Sequence, residues 1–313
     1  MQTLTNICSE KQNTAAALGF FDGLHLGHRK VLSLAAKQEK CGLLPLCLTF
    51  AESPKAVMSD KPFFYLMTKE DKLRSLESIG IRRTVMLDFN AVMDMSAESF
   101  FFEILVKKLR VKELFCGFNY HFGKDAEGDI AMLQRLCDQN NVGITIVPPE
   151  TMDGEVICST LIKKLISEGE IERANDMLGS RFGFRAEITH GMRLGRELGT
   201  PTLNQQMQPD LVMPRFGVYA SVVTLENGGQ YCGVTNIGIK PTVGGTKPLW
   251  ETWMPEYRGA ELYGEQADVR LLTFIRPEKK FDNLTLLREE IMRNARQAQE
   301  DYARVNSFKN LIK

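Results

Sequence analysis

The first half of this chain alternates between short apolar runs and longer segments in which apolar residues recur with helical spacing. The apolar runs read AAALGF, LLPLCLTF, RTVMLDF, VKELFCGF and GITIVPP. The segments between them read HRKVLSLAAKQEK, TKEDKLRSLESIG, SAESFFFEILVKKL and GDIAMLQRLCDQNN. Apolar strands that alternate with amphipathic helices are typical of a parallel sheet covered on both faces. We therefore expect a ligand at the carboxyl ends of these strands, where such sheets bind.

A different pattern follows in the second half. The segment STLIKKLISEGEIERANDML, residues 159–178, predicts a long helix that closes the first half. Beyond it, FRAEITHG, GVYASVVTLE, QYCGVTNIG and QADVRLLTFI read as strands without helices between them, which indicates an antiparallel sheet or a small barrel. The segment LTLLREEIMRNARQAQEDYARV predicts a terminal helix. A chain of 313 residues is long enough for two domains, and we place them at residues 1–178 and 179–313.

Charge and cysteine usage narrow the class of partner. Lys+Arg and Asp+Glu number 39 each, so no cationic surplus favours nucleic acid and a small-molecule partner is expected. No basic-then-apolar leader opens the sequence, and no apolar run approaches the roughly 18 residues of a membrane span. We predict a cytoplasmic protein with no membrane contact and no obligate protein partner. Its seven scattered cysteines include no CxxC pair, which predicts reduced thiols.

Two of the four histidines lie three residues apart in LGFFDGLHLGH, residues 18–28, between a predicted strand and a predicted helix. A helix N-terminus attracts phosphate, and His25 and His28 would add donors that stabilise charge building on a phosphoryl oxygen. Three alternatives compete. The pair could be zinc ligands, although no further histidine or cysteine has suitable spacing for a set of about four. They could also be satisfied core histidines, or part of an ordinary surface loop.

The same stretch resembles a known signature. GFFDGLHLGH is similar to the HxGH motif of the nucleotidylyltransferase superfamily, in the form typical of bacterial bifunctional riboflavin kinase/FMN adenylyltransferases, often called FAD synthetases. Further segments resemble this family in order along the chain: GFNYHFGKDAEGD, CSTLIK, LGRELGTPTLN, FGVYASV, NIGIKPT, ETW leading to ELYG, and FIRPEKKF. No Walker motif and no complete dinucleotide fingerprint accompany them.

The resemblance implies an α/β chain with two modules. The first is a Rossmann-like parallel-sheet domain of the nucleotidylyltransferase type, and the second a small antiparallel barrel of the riboflavin-kinase type with a terminal helix. The implied reactions are phosphorylation of riboflavin to FMN by ATP with Mg²⁺, and adenylylation of FMN by a second ATP to FAD and pyrophosphate.

In the first module the resemblance implies that His25 and His28 stabilise the adenylyl group during its transfer. It implies further nucleotide and phosphate contacts from loops around them, at Gly19, Phe20, Asp22, Gly117, Asn119, Asp129, Ser159, Thr160 and Lys163. Asp22 could instead cap the following helix.

In the second module the resemblance implies that Thr202 and Asn204 contact Mg²⁺. It implies that Glu251 is the general base that deprotonates the riboflavin 5′-hydroxyl. The segment GRELG adds three ATP-contacting positions, Gly195, Arg196 and Gly199. Alternatives remain open from the residues themselves. PTLN could be an ordinary turn, Glu251 could be a solvated charge, and the only tryptophans, Trp250 and Trp253, could stack on a flavin ring or pack as core.

Several positions depart from the family pattern. Ser53 stands where the family has a histidine in TFxPHP, Cys158 and Lys163 replace the first serine and the arginine of SSTxIR, and Asn294 replaces an aspartate. Trp253 stands where many members carry a small polar residue or histidine. Lysine keeps the charge of arginine but loses its bidentate fork, so we expect slower adenylyl transfer.

Three other functions stay open. The protein could be a riboflavin kinase with a degenerate first half, a flavin-binding regulator without turnover, or an adenylyltransferase for another phosphorylated metabolite.

Overall fold

The computed structural model describes residues 1–4, 9–190, 199–242 and 245–311. Two compact units make up the chain. One comprises Met1–Tyr65 and Lys69–Ser159, and the other comprises Leu66–Thr68 and Thr160–Lys313. The domain boundary after residue 178 stays a prediction.

The first unit is built on a six-stranded parallel sheet with the order β1-β4-β3-β2-β5-β6. Its strands are β1 (Gln2–Leu4), β2 (Thr14–Leu18), β3 (Leu44–Phe50), β4 (Arg83–Leu87), β5 (Val111–Gly117) and β6 (Gly143–Val147). A short hairpin follows, formed by β7 (Thr151–Met152) and β8 (Glu155–Val156). The predicted parallel-sheet class of the first half is confirmed.

Helices connect these strands. They are α1 (Leu26–Lys37), α2 (Pro54–Val57), α3 (Lys69–Ile79), α4 (Ala97–Ser99) and α5 (Ile130–Gln139). A π-helix, Phe100–Lys108, continues directly from α4. It buries Phe100 and Phe101 in an apolar cluster with Leu46 and Leu114 of the sheet, while Phe102 of the same run is exposed.

The position of β2 determines where a ligand can bind. All five residues of β2 are buried, and the strands following it in sequence, β3 and β4, lie on one side of it while β5 and β6 lie on the other. The strand order therefore reverses between β2 and β5, and in open parallel sheets a crevice forms at such a reversal. Leu18 at the end of β2 pairs with Cys116 of β5, so the loops that leave these strands begin side by side.

The second unit contains a six-stranded antiparallel sheet with the order β10-β13-β12-β11-β14-β9. Its strands are β9 (Gly183–Glu187), β10 (Thr202–Gln206), β11 (Gly217–Leu225), β12 (Gln230–Thr242), β13 (Gly245–Trp253) and β14 (Gln266–Pro277). The edges meet where Thr189 bridges to Asn204 and where Gln205 Nε2 donates to the Ala186 and Ala267 carbonyls, both at 2.7 Å. The sheet is thus a nearly closed barrel, and the predicted barrel class is confirmed.

Side chains of this barrel alternate between its interior and its outer face. Trp250 is fully buried inside, against Phe184 at 4.7 Å between ring centroids. Beside it, three buried hydroxyls form a chain: Thr235 Oγ1 lies 2.7 Å from Ser221 Oγ and 2.9 Å from Thr252 Oγ1. The interior is therefore filled by aromatic packing and by a chain of paired hydroxyls, while Nε1 of Trp250 has no hydrogen-bond partner among the described residues.

The helices of the second unit are α6 (Ser159–Glu168), whose first residue belongs to the first unit, α7 (Ile171–Leu178) and α8 (Leu284–Leu311). The terminal helix packs Ala295 and Ala298 against the outer face of the barrel, in a cluster that includes Val222 and Val234. Small residues on the helix let its backbone approach the strands closely, which covers one face of the sheet.

Two details of the sequence analysis were wrong. The single helix predicted over residues 159–178 is two helices, because the chain turns at Gly169 with φ +87°, a conformation that side chains rarely allow. The turn alternative for PTLN also failed. A turn does occur at Gly199, but Thr202 and Asn204 lie in strand β10.

The described cysteines, Cys41, Cys47, Cys116, Cys137, Cys158 and Cys232, are all free thiols, as predicted for them. Across the described ranges, none of the helices combines the length and apolar character needed to cross a membrane.

We expect the substitution Thr235→Val to destabilise the barrel. It removes the hydroxyl shared by Ser221 and Thr252, and a buried polar group left without its partner costs about 1–3 kcal/mol. Thr235→Ser is the matched control because it keeps the hydroxyl. Urea unfolding of both variants measures the difference, and a valine variant as stable as the serine variant would show that the hydroxyl chain contributes nothing.

Candidate active sites

The loop between β2 and α1 carries the predicted histidine pair. It leaves β2 after Leu18 and enters α1 at Leu26, at the reversal of strand order. Within it Phe21 and Leu24 have left-handed backbones, with φ of 57° and 46°. Such a conformation costs about 1–3 kcal/mol for a residue other than glycine. Both side chains are nearly inaccessible, at 2% and 0% exposed, so burial holds the strained loop in place.

His25 is the N-cap of α1. Its Nδ1 accepts a hydrogen bond from the backbone N–H of His28 at 3.4 Å, so its ring proton lies on Nε2. The alternative that Asp22 caps this helix is therefore wrong. The two imidazoles stack, with 3.6 Å between centroids and 22° between planes, and Phe21 packs edge-on against His28 at 5.3 Å. The structure thus brings the two predicted histidines into one rigid cluster.

Two glycines make this cluster possible. A Cβ on Gly27 would lie 3.3 Å from the ring of His25, and one on Gly19 would lie 2.9 Å from the ring of Phe21. Each glycine therefore leaves room for an aromatic ring against the backbone.

Both histidines are neutral near pH 7. Burial lowers the pKa of His25 to about 4. Burial, followed by repulsion from a protonated His25 and from Lys72, lowers the pKa of His28 well below its usual value. Nδ1 of His28 is enclosed and has no hydrogen-bond partner among the described residues. Each neutral ring offers one N–H donor.

The zinc alternative has no structural support. Among the described residues, no group of three or more histidine, cysteine, aspartate or glutamate side chains is arranged to hold a metal ion.

Phe20 lies beside the pair and heads an aromatic cluster. Its ring centroid is 6.4 Å from that of Phe63 and 6.1 Å from that of Tyr65. Ser53, which stands at the family's histidine position, is buried and its N–H donates to Tyr65 Oη at 3.4 Å. The rings of Phe20, Phe63 and Tyr65 thus form an aromatic wall beside the position at which the family pattern has an imidazole.

A residue that the sequence analysis missed lies under this wall. Lys72 of α3 is only 6% exposed, and its ammonium donates to the carbonyl of Phe20 and to Thr49 Oγ1. It precedes the buried Leu76 by four residues, which places it on the core face of the helix. That spacing was a signal in the sequence, because lysine on a core face is rare.

The segment CSTLIK starts helix α6. Ser159 Oγ donates to the carbonyl of Asp22 at 3.0 Å, which brings Ser159 to the histidine loop. Cys158 is exposed, Thr160 is exposed and Lys163 is partly buried.

The loop after β5 carries the remaining predicted residues of this site. Gly117 ends β5 next to the end of β2, and Asn119 follows it with an exposed side chain. Asp129 is the N-cap of α5 and accepts from the N–H of Met132 at 2.7 Å. Its side chain therefore caps its own helix.

In the second unit, strand register aligns the predicted kinase residues. Asn204 of β10 and Asn236 of β12 both lie directly opposite Glu251 of β13. Residues directly opposite in antiparallel strands share a face of the sheet, and Thr202 shares it with Asn204 because strand side chains alternate. The sequence analysis quoted NIGIKPT but did not single out Asn236. That these side chains share one face of the sheet could not be predicted without the strand register.

Asn204 has a side-chain oxygen suited to a cation. Oδ1 is buried and accepts no hydrogen bond from the described residues, while Nδ2 contacts the Thr202 carbonyl at 3.4 Å. An amide oxygen, a hydroxyl and a neighbouring carboxylate are hard ligands, and Mg²⁺ is usually held by one or two protein groups together with water and substrate phosphates. Thr202 and Asn204 therefore fit the ion that the resemblance implies.

The two tryptophans point to opposite faces of β13. Trp250 packs in the barrel interior, so for this residue the core alternative is correct. Trp253 lies on the outer face with Glu251 and is partly buried against the cluster under α8.

A cavity of about 370 Å³ opens beside β10. Its lining residues come from β10, β13 and the following loop, and they include Thr202, Thr252, Met254, Tyr257, Leu262 and Tyr263. Gly199 precedes it in a turn with φ +73°. The predicted positions Gly195 and Arg196 lie outside the described residues.

Comparison with known proteins supports the family resemblance of both halves of the chain. The family model described as FAD synthetase matches residues 7–161, and the one described as riboflavin kinase matches residues 178–302. A Listeria monocytogenes protein described as bifunctional riboflavin kinase/FMN adenylyltransferase is 32% identical to this chain, with 94% of each chain covered. A Bacillus subtilis protein of the same description is also 32% identical, with 98% of this chain and 96% of that protein covered. The Escherichia coli protein of the same description is 31% identical, with 93% of each chain covered.

A solved structure also resembles the whole chain. A crystal structure described as a macrolide-efflux protein from Streptococcus pneumoniae has a TM-score of 0.85 and 27% identity, with 95% of this chain and 98% of that chain covered. That description applies to the other protein.

We expect His25 to titrate near pH 4, with a consequence for stability. Between pH 6.5 and 4 the unfolded chain binds a proton at this position and the folded chain does not, so the free energy of unfolding falls as the pH is lowered. A lowering from 6.5 to about 4 corresponds to a loss of about 3 kcal/mol.

His25→Asn is the matched variant, because asparagine keeps an N-cap acceptor but does not titrate. The ring titration is followed by NMR, and the free energy of unfolding by denaturant at each pH. A His25 midpoint near 6.5, or equal pH dependence of both proteins, would contradict this assignment.

Proposed function

The chain belongs to the family of bifunctional riboflavin kinase/FMN adenylyltransferases, and on that premise we propose how its residues divide the two reactions. It phosphorylates riboflavin to FMN and adenylylates FMN to FAD. We assign adenylyl transfer to residues 1–178 and the kinase reaction to residues 179–313. The assignment of adenylyl transfer rests on the stacked, neutral pair His25 and His28 at the N-terminus of α1.

In adenylyl transfer, an FMN phosphate oxygen attacks the α-phosphorus of ATP, and the bond to the bridging oxygen of pyrophosphate breaks. Negative charge grows on the phosphoryl oxygens. His25 presents Nε2–H, since its Nδ1 is engaged by the His28 backbone, and His28 adds a second donor. Preorganised donors stabilise such charge because they need no reorganisation during the reaction. Neutral rings are well suited to donate hydrogen bonds without giving up a proton.

The other residues of this site would hold the substrates. Gly19, Phe20 and Asp22 would form the nucleotide wall, with Gly117 and Asn119 opposite, while Asp129 shapes the loop through its cap. Ser159, Thr160 and Lys163 would hold the departing pyrophosphate, since the start of α6 carries free N–H groups and a positive dipole end. Because Lys163 lacks the fork of arginine, we expect weaker retention of pyrophosphate than in members with arginine.

In the kinase reaction, the riboflavin 5′-hydroxyl attacks the γ-phosphorus and the bond to ADP breaks. Glu251 would accept the hydroxyl proton, and Asn236 would orient Glu251 from the neighbouring strand. Thr202 and Asn204 would hold Mg²⁺, which when bound neutralises charge on the β- and γ-phosphates. The cavity beside β10 offers space for part of a substrate, and Gly195, Arg196 and Gly199 would contact ATP.

A second candidate function is a riboflavin kinase with an inactive first half. The observation that favours it is the buried serine at position 53, which offers no imidazole to the wall around Phe20. The regulator and other-metabolite alternatives have no comparable support. Incubation with riboflavin, Mg²⁺ and ATP, followed by chromatography, separates these functions, because only the bifunctional enzyme forms FAD. The cytoplasmic location and the absence of nucleic-acid and protein partners remain predictions.

We expect His28→Ala and Glu251→Gln to remove different reactions. Loss of one preorganised donor costs about 10²–10³ in kcat, so His28→Ala should lose FAD formation from supplied FMN while FMN formation is kept. Loss of a general base costs about 10²–10⁴, so Glu251→Gln should do the reverse. Each variant is the folding control for the other reaction. If either substitution reduced both rates equally, the assignment to separate sites would be wrong.

We expect Asn204→Ala to raise the Mg²⁺ concentration that gives half-maximal kinase activity, since an oxygen ligand is lost. Adenylyl transfer, measured in the same preparation, should keep its metal dependence. An unchanged Mg²⁺ requirement of the kinase reaction would show that Asn204 is not a ligand. Gln206→Ala on the same strand, with an exposed side chain, is the matched control.

A further inference from the structure

We propose that Lys72 is a positioning residue for adenylyl transfer, acting through the Phe20 carbonyl on the ring of His28. The inference rests on the role assigned above to the histidine pair. It concerns a residue of α3 that lies outside the motifs by which this site was predicted.

Two contacts tie Lys72 to the loop after β2, and a third ties it to strand β3. Its Nζ donates to the carbonyl oxygen of Phe20 and, at 2.9 Å, to Thr49 Oγ1, and it lies 4.4 Å from the centroid of the Phe20 ring. Thr49 Oγ1 itself donates to the same carbonyl at 2.9 Å. One carbonyl oxygen thus accepts two hydrogen bonds from two different elements, which fixes the peptide between Phe20 and Phe21.

That peptide leads directly to the catalytic pair. Phe21 follows it with φ 57°, a backbone conformation that has to be held in place by its surroundings. The Phe21 ring then packs over Gly19 and edge-on against His28 at 5.3 Å. A peptide free to rotate at Phe20 would release Phe21, and with it the packing that holds the His28 ring.

Packing alone does not explain a lysine at this position. Burying an ammonium costs several kcal/mol where no ion pair offsets it, and no carboxylate within 4 Å is paired with Lys72 among the described residues. Burial lowers its pKa to about 8, partly offset by attraction to the carboxylate of Asp22, so it is mostly charged at pH 7. A leucine or methionine would fill the space at less cost, but neither could donate to the Phe20 carbonyl.

The test compares Lys72→Met, which keeps the length but removes the donor, with Lys72→Gln, which keeps a donor without charge. We expect Lys72→Met to lower kcat for FAD formation by about 10- to 100-fold with little change in KM for FMN or ATP, as for a slightly misplaced catalytic group. Lys72→Gln should recover part of that loss. Lys69→Met is the control, because Lys69 lies exposed on the same helix. Riboflavin phosphorylation, catalysed by the other unit, should be unchanged in all variants.

The outcomes separate this inference from the site assignment. All rates are expressed per folded molecule, with the folded fraction taken from near-UV circular dichroism. A wild-type kcat in Lys72→Met, equal rates in Lys72→Met and Lys72→Gln, or a defect confined to KM would overturn the role of Lys72. If Lys72→Met does not fold, Lys72→Leu replaces it as the variant that lacks a donor. A lower kcat for FAD formation in Lys72→Leu than in Lys72→Gln supports the role of Lys72, and equal rates overturn it. If His28→Ala leaves FAD formation intact, the histidine site itself is wrong.

Discussion

Hydrogen-bonded strand pairing determines which side chains meet in both units. In the parallel sheet, the pairing of Leu18 with Cys116 puts the exits of β2 and β5 next to each other at the reversal of strand order. In the barrel, the register that sets Asn204 and Asn236 opposite Glu251 collects an amide, a carboxylate and a second amide in one row. A shift of one residue would turn each of these side chains to the opposite face. Backbone pairing therefore sets the positions of the side chains, and phosphate chemistry requires those positions to be precise.

Burial then sets the electrostatic character of each site. The histidine pair is kept neutral because solvent is excluded from it, and the strained loop that presents it is retained because Phe21 and Leu24 are packed in the core. Lys72 adds a charge close to the pair without an ion-pair partner among the described residues. In the barrel, the buried Asn204 oxygen is instead left available for a cation. Under the proposed assignment, neutral donors in one unit and hard oxygen ligands in the other would serve the two reactions of ATP.

Neither site contains a Walker loop, and the geometry explains why none is needed. Phosphoryl and adenylyl transfer depend mainly on positioning and charge stabilisation. In the proposed sites, the N-terminus of α1, capped by an imidazole, would supply fixed donors, and two side chains of one face of β10 would supply ligands. The family pattern varies around these features, as Ser53, Cys158 and Lys163 show, while the histidine pair and the Thr202-to-Glu251 row are complete.

The sequence alone determined the class of both sheets, the order of most elements and the identity of the family, because hydrophobic periodicity and motif spacing are local properties of a chain. It also determined that His25 and His28 lie between a strand and a helix. Tertiary structure decided what depends on contacts distant in sequence. It made His25 the cap in place of Asp22, broke the helix at Gly169, and put Trp250 inside the barrel and Glu251 outside it. Lys72 became part of the first site only when α3 packed against the end of β2, since no local pattern specifies which carbonyl a buried lysine will reach.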